Sequence, residues 1–261
     1  MRTITNRFSL SVGVVCLLVV AASSAAMAAP TPPGTEIQAA AEAQYSSSGG
    51  TQMPTATSNT VVVTVDYPSG ISIGTAKTLP DGQFVQLVPN VVTGGTAEMA
   101  GAFYIEAADR SAGIRVAASQ SVQEGDKAVV SGTLVTVDGE RRINAQDMAI
   151  NSSGNTLPDP LGMIQASFRA GLDSAGLLLK VWGCVTAAPS GAGYFYLDDG
   201  SVLKDGSSYT GIRILGAPPE DPAHKYLAVT GICGAEMLGA SPIRVIRTRR
   251  AEDIAIVGTV P

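Results

Sequence analysis

Residues 113–116 read Gly-Ile-Arg-Val, and residues 211–214 read Gly-Ile-Arg-Ile. Three further pairs of segments match in the same order along the chain: Asn90-Val91-Val92-Thr93 with Gly183-Cys184-Val185-Thr186, Phe103-Tyr104-Ile105 with Phe195-Tyr196-Leu197, and Val130-Ser131-Gly132-Thr133 with Val229-Thr230-Gly231-Ile232. Four matches in one order indicate that the chain from residue 72 onward contains one structural unit twice. The offset between the copies rises from 92 residues at the second strand to 98 at the third. This rise predicts an insertion in the second copy, within Gly200–Thr210.

Each copy contains five short runs with the alternation of a β-strand. In the first copy they are residues 84–93, 102–107, 113–118, 127–137 and 140–150; in the second they are 177–187, 193–198, 211–215, 225–235 and 242–250. Five strands in about 80 residues, with glycine inside the fourth strand of both copies and inside the first strand of the second copy, favour a small closed barrel. The first copy has Asn90 where the second has Gly183, and Asn tolerates a left-handed backbone better than most residues, so the bend can survive. A β-sandwich is the alternative fold.

The order of these motifs resembles the OB-fold, and in particular the tandem OB-like modules of exported bacterial proteins. The resemblance covers residues 72–257 and implies an all-β protein with two small five-stranded OB-like barrels in tandem. We place the first barrel at residues 71–150 and the second at 163–261. The segment 151–162 between them is rich in Asn, Ser, Gly and Pro and has the composition of a linker.

The N-terminus has the pattern of a secretory signal peptide over residues 1–28. Arg2 and Arg7 precede an uncharged apolar run, and the small-residue site Ala26-Met27-Ala28 follows it. We therefore expect an exported protein, periplasmic, on the cell surface or extracellular, with no membrane span after cleavage. Loss of the two arginines changes the formal net charge from −5 to −7, which opposes binding to nucleic acid.

Residues 29–70 are predicted to form an N-terminal β-hairpin. The strand-like runs Thr35–Tyr45 and Thr57–Tyr67 flank the Ser/Gly segment Ser46–Gln52. This region resembles the end of the Ig-like repeats found on bacterial cell-surface proteins. Because an isolated hairpin is only marginally stable in water, it must pack on the first barrel or pair with the edge strand of another surface protein.

Strand alternation places one tyrosine and one arginine on the outside of each barrel. Tyr104 and Arg115 are expected as outward neighbours on adjoining strands of the first barrel, as are Tyr196 and Arg213 on the second. The OB-fold resemblance implies that a ligand binds on this face, where an aromatic ring stacks a base or sugar and an arginine holds a phosphate or hydroxyl. The alternative is a purely structural cation–π pair.

Arginines at the end of each copy form the strongest basic feature of the sequence: Arg244, Arg247, Arg249 and Arg250 in the second copy, with Arg141 and Arg142 at the equivalent place in the first. A strip that binds anions is one interpretation, and it adds Arg244 and Arg247 to the candidate ligand-binding residues. Solvated edge residues that discourage aggregation between strands are the other.

Two cysteines remain after signal cleavage. Cys184 is on the first strand and Cys233 on the fourth strand of the second barrel, and these strands are neighbours in an OB-fold. A disulfide between them is therefore a candidate in an oxidising compartment, and buried free thiols are the alternative.

Catalytic side chains are scarce. His224 is the single histidine, no Walker motif is present, and zinc lacks a ligand set. The acidic segments Asp198-Asp199-Gly200 and Asp205-Gly206-Ser207 are typical of turns rather than of a calcium site. We therefore expect no catalytic residues, no metal and no cofactor.

These features favour a non-enzymatic binding or structural module that recognises a protein or glycan partner in the cell envelope or outside the cell. One alternative is a binder of single-stranded nucleic acid or another polyanion through the OB-fold faces. Another is an accessory domain of an envelope hydrolase.

Overall fold

The computed structural model describes residues 36–44, 51–52, 54–64, 70–169 and 171–259. The predicted signal peptide, residues 1–28, lies outside them. The described chain is nearly all β, as predicted, and it divides into two compact units, Met1–Pro68 and Ser69–Pro261. None of the helices found in these ranges is long and apolar enough to cross a membrane.

The first unit contains the predicted β-hairpin. Its strands are β1 (Glu36–Ala39), β2 (Glu42–Ala43), β3 (Ala56–Thr57) and β4 (Val61–Thr64). Strand β1 pairs antiparallel with β4, and β2 pairs antiparallel with β3. Val61, Val62 and Val63 are all exposed, because a two-stranded ribbon has no second layer to bury either of its faces.

The first barrel is a closed ring of five strands. Its elements are α1 (Ile73–Thr78), β5 (Phe84–Gln86), β6 (Asn90–Gly94), β7 (Ala102–Glu106), β8 (Gly113–Ala117), β9 (Lys127–Val137) and β10 (Glu140–Ser152). The ring runs β6-β7-β8-β10-β9 and returns to β6, with β8 parallel to β10 and the other pairs antiparallel. Helix α1 begins at Ser72, whose side chain accepts a hydrogen bond from the Thr75 N–H, and it buries Ile73 and Ala76 in the barrel core.

The second barrel repeats this ring. Its elements are β11 (Leu161–Gly162), a 3-10 helix (Gln165–Arg169), β12 (Leu178–Ala187), β13 (Tyr194–Asp198), β14 (Ile212–Leu215), β15 (Lys225–Leu238), β16 (Ser241–Arg247), a second 3-10 helix (Ala251–Asp253) and β17 (Ile254–Thr259). Strands β12-β13-β14-β16-β15 close the ring, and β14 runs parallel to β16. The prediction of an all-β chain with two small five-stranded barrels in tandem is confirmed.

Inward apolar side chains fill each ring, as the alternation of the sequence requires. Phe103 and Ile105 lie in the core of the first barrel, and Phe195 and Leu197 occupy the same places in the second. The insertion falls where it was predicted: 13 residues join β13 to β14, whereas six join β7 to β8.

The two barrels pack directly against each other within the second unit. Met99 and Tyr104 of the first barrel form a buried apolar cluster with Leu178 and Ile232 of the second. Beside this cluster the backbones at Gly113 and Gly176 touch, so closely that a Cβ on Gly113 would overlap with the carbonyl oxygen of Gly176. Glycine is therefore required on both sides of this contact.

Ion pairs and hydrogen bonds surround the apolar cluster. Lys77 donates to the carbonyl oxygens of Gly113 and Ala175, at 3.2 and 2.9 Å, and it pairs with Asp173 at 2.8 Å. At another point Arg249 of the second barrel donates to the Thr93 carbonyl at 3.1 Å and to Glu124 at 2.9 Å. This docking of the barrels was not predicted from the sequence.

We expect Gly113→Ala to destabilise the second unit by about 1–3 kcal/mol, because the added methyl group forces the two backbones apart. Chemical denaturation of the purified chain measures the effect. Gly74→Ala is the matched control: its Cβ would meet nothing closer than 3.9 Å, so stability should be kept or slightly raised. Equal stability of the Gly113 variant and the wild type would contradict the close contact.

Candidate ligand-binding site between the barrels

The two tyrosine–arginine pairs form across neighbouring strands. Tyr104 lies opposite Arg115 and Tyr196 lies opposite Arg213 in the antiparallel registers. Each guanidinium sits near the ring of its partner, with centroid distances of 5.9 Å in the first barrel and 5.5 Å in the second. Both pairs therefore make the cross-strand cation–π contact, and what differs between them is the element that covers the tyrosine.

Tyr104 is covered by the second barrel. Its side chain is 0% exposed and packs with Leu178 and Ile232. Its hydroxyl donates a 2.8 Å hydrogen bond to the buried Glu140 carboxylate. Burial and the negative charge of Glu140 raise the pKa of Tyr104, so the hydroxyl stays protonated and remains a donor. No face of this ring is open for stacking with a base or sugar.

Tyr196 is covered by the insertion of its own barrel. The ring of Tyr209 packs on it at a centroid distance of 4.9 Å. Its hydroxyl donates to Asp205 at 2.8 Å and accepts from the Arg213 Nε and Nη2 at 3.0 and 2.8 Å. Arg213 also lies 4.6 Å from the ring centroid of Tyr194. The residues of the second pair are thus buried beneath a loop that sequence repetition alone identified as an insertion.

The terminal arginines do not form one continuous strip. Arg244 pairs with Asp173 at 3.1 Å, and Arg141 with Asp81 at 2.8 Å. Arg249 binds Asp253 and Glu124, and Arg250 binds Glu124 as well. Each is thus neutralised by an acid, and Arg249 holds the two barrels together.

Arg247 also pairs with an acid, and it lies at the part of the barrel junction that is formed by Tyr104 and Glu140. It donates to Glu236 at 3.3 Å and to the Ala235 carbonyl at 3.1 Å. A Cβ placed on Gly234 would lie 2.9 Å from the Arg247 Nε and 3.3 Å from both the Glu140 carboxylate and the Tyr104 hydroxyl. The absence of a side chain at residue 234 allows these three polar groups to converge.

Two cavities flank this junction, and together we call them the inter-barrel groove. The smaller cavity has a volume of about 300 Å³ and is lined by Glu98, Met99, Ala100, Tyr104, Arg115, Leu215, Arg247 and Thr248. The larger cavity has about 440 Å³ and is lined by Arg115, Val137, Asp138, Glu140, Ala235, Glu236, Met237 and Arg247. Arg115 and Arg247 line both cavities. Of the predicted site residues, the structure thus brings Tyr104, Arg115 and Arg247 to the groove, and it places Tyr196, Arg213 and Arg244 elsewhere.

Glu140 is a site residue that sequence reasoning missed. It follows the turn Asp138-Gly139, and the pattern of the hairpin places it at an exposed strand end. In the structure it is buried because the second barrel covers it, and it accepts from both Tyr104 and Arg115.

Glu106 is a second acid that the docking buries. It is fully buried, and its Oε2 accepts a 2.7 Å hydrogen bond from the Leu178 backbone N–H of the other barrel, while its Oε1 has no partner. Burial raises the pKa of Glu106 to about 7, although the Leu178 N–H and Arg110 oppose the rise. The signal in the sequence that could have indicated this buried acid is its position directly after the apolar run 102–105.

Of the two alternatives for the cysteines, the candidate disulfide is not formed: both Cys184 and Cys233 are free thiols, and Cys233 is the buried one. In the antiparallel pairing of β12 with β15, Cys184 lies opposite Tyr226, whereas Cys233 bonds through its backbone to Leu177 beyond the other end of β12. The two strands are neighbours, but the two cysteines lie at opposite ends of the paired strands. A disulfide needs Cα atoms within about 7 Å of each other. Burial raises the pKa of the Cys233 thiol to about 11.

The acidic segments of the insertion act as turns. Asp199 accepts from the Ser201 N–H, Asp205 accepts from the Ser207 N–H, and Asp198 accepts from the Val202 N–H. Among the described residues, no three His, Cys, Asp or Glu side chains are grouped to hold a metal ion. His224 is exposed in a loop.

Comparison of the sequence with protein-family models and with curated proteins found no match.

We expect Glu106→Gln to remove a pH dependence of stability. The folded protein holds a proton on Glu106 between about pH 4.5 and 7 that the unfolded chain releases, so the free energy of unfolding falls as pH rises through this window, by at most about 3 kcal/mol. Gln stays neutral and still accepts from Leu178, so the variant should show a flatter profile and equal or greater stability at pH 8.

Urea denaturation over a pH series measures this difference, and Glu252→Gln, an exposed acid of the second barrel, serves as the control. Identical slopes for the Glu106 variant and the wild type would show that Glu106 does not titrate in this window.

Proposed function

We propose that this chain is a non-enzymatic exported binding module of the cell envelope or the extracellular space, and that its ligand-binding surface is the inter-barrel groove. The observation that carries the proposal is the smaller cavity, to which each barrel contributes one arginine: Arg115 from β8 and Arg247 from the end of β16. Its volume of about 300 Å³ is at the lower end of the range typical of small-molecule sites. The scarcity of catalytic side chains favours binding over catalysis.

Export is supported by the sequence of residues 1–28, and the OB-fold resemblance extends to modules of exported bacterial proteins. The second barrel covers the face of Tyr104 on which an OB-fold would bind its ligand. This contact joins the two barrels in one compact unit.

Binding of single-stranded nucleic acid or another polyanion is less well supported. A stacking platform needs accessible rings, and both Tyr104 and Tyr196 are 0% exposed. Arg141, Arg244 and Arg249, which lie outside the groove, are paired with acids, and the net charge of the chain is negative.

Titration with a fluorescein-labelled oligothymidylate over a salt series separates these functions. We expect no binding even at low salt, because the net charge of the chain is negative and Arg141, Arg244 and Arg249 are paired with acids. Affinity that is measurable at low salt and falls steeply as salt increases would favour the polyanion binder instead.

Export is tested by expression of the full chain in a bacterial host. We expect a mature protein that begins at Ala29 and is found outside the cytoplasm, as shown by cell fractionation and intact-mass measurement. Ala28→Lys should block processing, because the cleavage site requires a small residue. An unprocessed wild-type chain in the cytoplasm would contradict export.

A further inference from the structure

Glu140 and Glu236, the acids that pair with Arg115 and Arg247, line the larger cavity, so arginines outnumber carboxylates in the lining of the smaller cavity of the inter-barrel groove. Its lining contains two arginines, Arg115 and Arg247, and one carboxylate, that of the exposed Glu98. The side chains of Arg115 and Arg247 are 24% and 19% exposed, so both are partly shielded from solvent. Partial burial strengthens the attraction between these guanidinium groups and an anion in the cavity.

Both guanidinium groups keep free donors. Arginine carries five N–H groups. Arg115 donates one of them to a described acceptor, Glu140 at 3.4 Å. Arg247 donates to Glu236 and to the Ala235 carbonyl. The remaining N–H groups have no acceptor among the described residues, and a carboxylate can accept two such groups in parallel.

The rest of the smaller cavity suits a hydroxylated ring. Met99 and Leu215 offer apolar contacts, while Thr248 and Glu98 offer oxygen atoms. The apolar wall matches the C–H face of a sugar ring, which is apolar. The hydroxyl and carboxylate oxygens match the sugar hydroxyls, because each buried hydroxyl needs a hydrogen-bond partner.

The larger cavity limits the charge of the ligand. The same two arginines meet three carboxylates there, those of Asp138, Glu140 and Glu236. A chain of repeated anionic units that extended from the smaller cavity into the larger one would bring like charges together. The groove therefore favours one isolated carboxylate over a polyanion.

We propose that the smaller cavity binds a single hexuronate residue, whose carboxylate is held by Arg115 of the first barrel and Arg247 of the second. This inference rests on the proposed function of the chain as a binding module. Because each barrel contributes one arginine, the site is complete only when the barrels are docked, and the ligand should stabilise the docked unit.

The test is calorimetric titration of the mature chain with methyl glucuronide, together with methyl glucoside, which has the same ring without the carboxylate. We expect binding of the glucuronide, no binding of the glucoside, and no gain in affinity with trigalacturonate. Amide chemical shifts in the unmodified protein should change near Met99 and Thr248.

Arg115→Gln and Arg247→Gln should each weaken glucuronide binding by about tenfold or more. Arg141→Gln is the matched control: it removes the same charge from the first barrel, but Arg141 is bonded to Asp81 and the Leu79 carbonyl and does not line the groove. This control should bind as the wild type does. The chemical-shift map needs no variant, so it decides the matter even where a substitution prevents folding.

Equal binding of glucoside and glucuronide, tighter binding of trigalacturonate, or shift changes remote from the groove would overturn the hexuronate proposal. A different ligand that maps to the groove would leave the proposed function standing while removing this inference. Failure of a panel of neutral glycans, acidic glycans and envelope proteins to bind would remove the proposed function itself.

Discussion

The packing of Tyr104 against the second barrel is the contact on which the rest of the second unit depends. An outward aromatic side chain on a small barrel must be covered or remain in water, and here Leu178 and Ile232 exclude water from it. That burial requires a partner for the tyrosine hydroxyl, which Glu140 provides, and a partner for Glu140, which Arg115 provides. One apolar contact thus determines the polar junction beside it.

The second copy of the repeat meets the same requirement by a different route. The longer loop between β13 and β14 brings Tyr209 and Asp205 over Tyr196. The same Phe-Tyr-aliphatic strand and the same Gly-Ile-Arg strand therefore lie beneath a neighbouring domain in one copy and beneath a loop in the other. The insertion is best understood as a cover for a face that the repeat would otherwise leave exposed.

The sequence predicted the features that depend on local pattern. The alternation of apolar residues and the order of the repeated motifs predicted the strands, the two closed rings and the site of the insertion, because each barrel forms its core from its own segment. Docking depends on surfaces that meet only in three dimensions, so the burial of Tyr104, Glu106 and Glu140 was not foreseen. The wrong disulfide has a related cause, since neighbouring strands were identified correctly but the register between Cys184 and Cys233 was not.

Register also explains why Arg247, and not the other terminal arginines, belongs to the groove. The parallel pairings place Arg247 opposite Leu215 in the second barrel and Asn144 opposite Ala117 in the first, so these two residues are structural equivalents. Asn144 is exposed, whereas Arg247 lines both cavities of the groove together with Arg115. The two copies thus differ at the position where one of them faces its neighbour. Of the described residues of the second barrel, Arg247 is the one whose guanidinium lines both cavities, and it lies where the second copy departs from the first. A binding site formed by docking requires an arginine at this position. A solvated strand edge would accept an arginine at any exposed position.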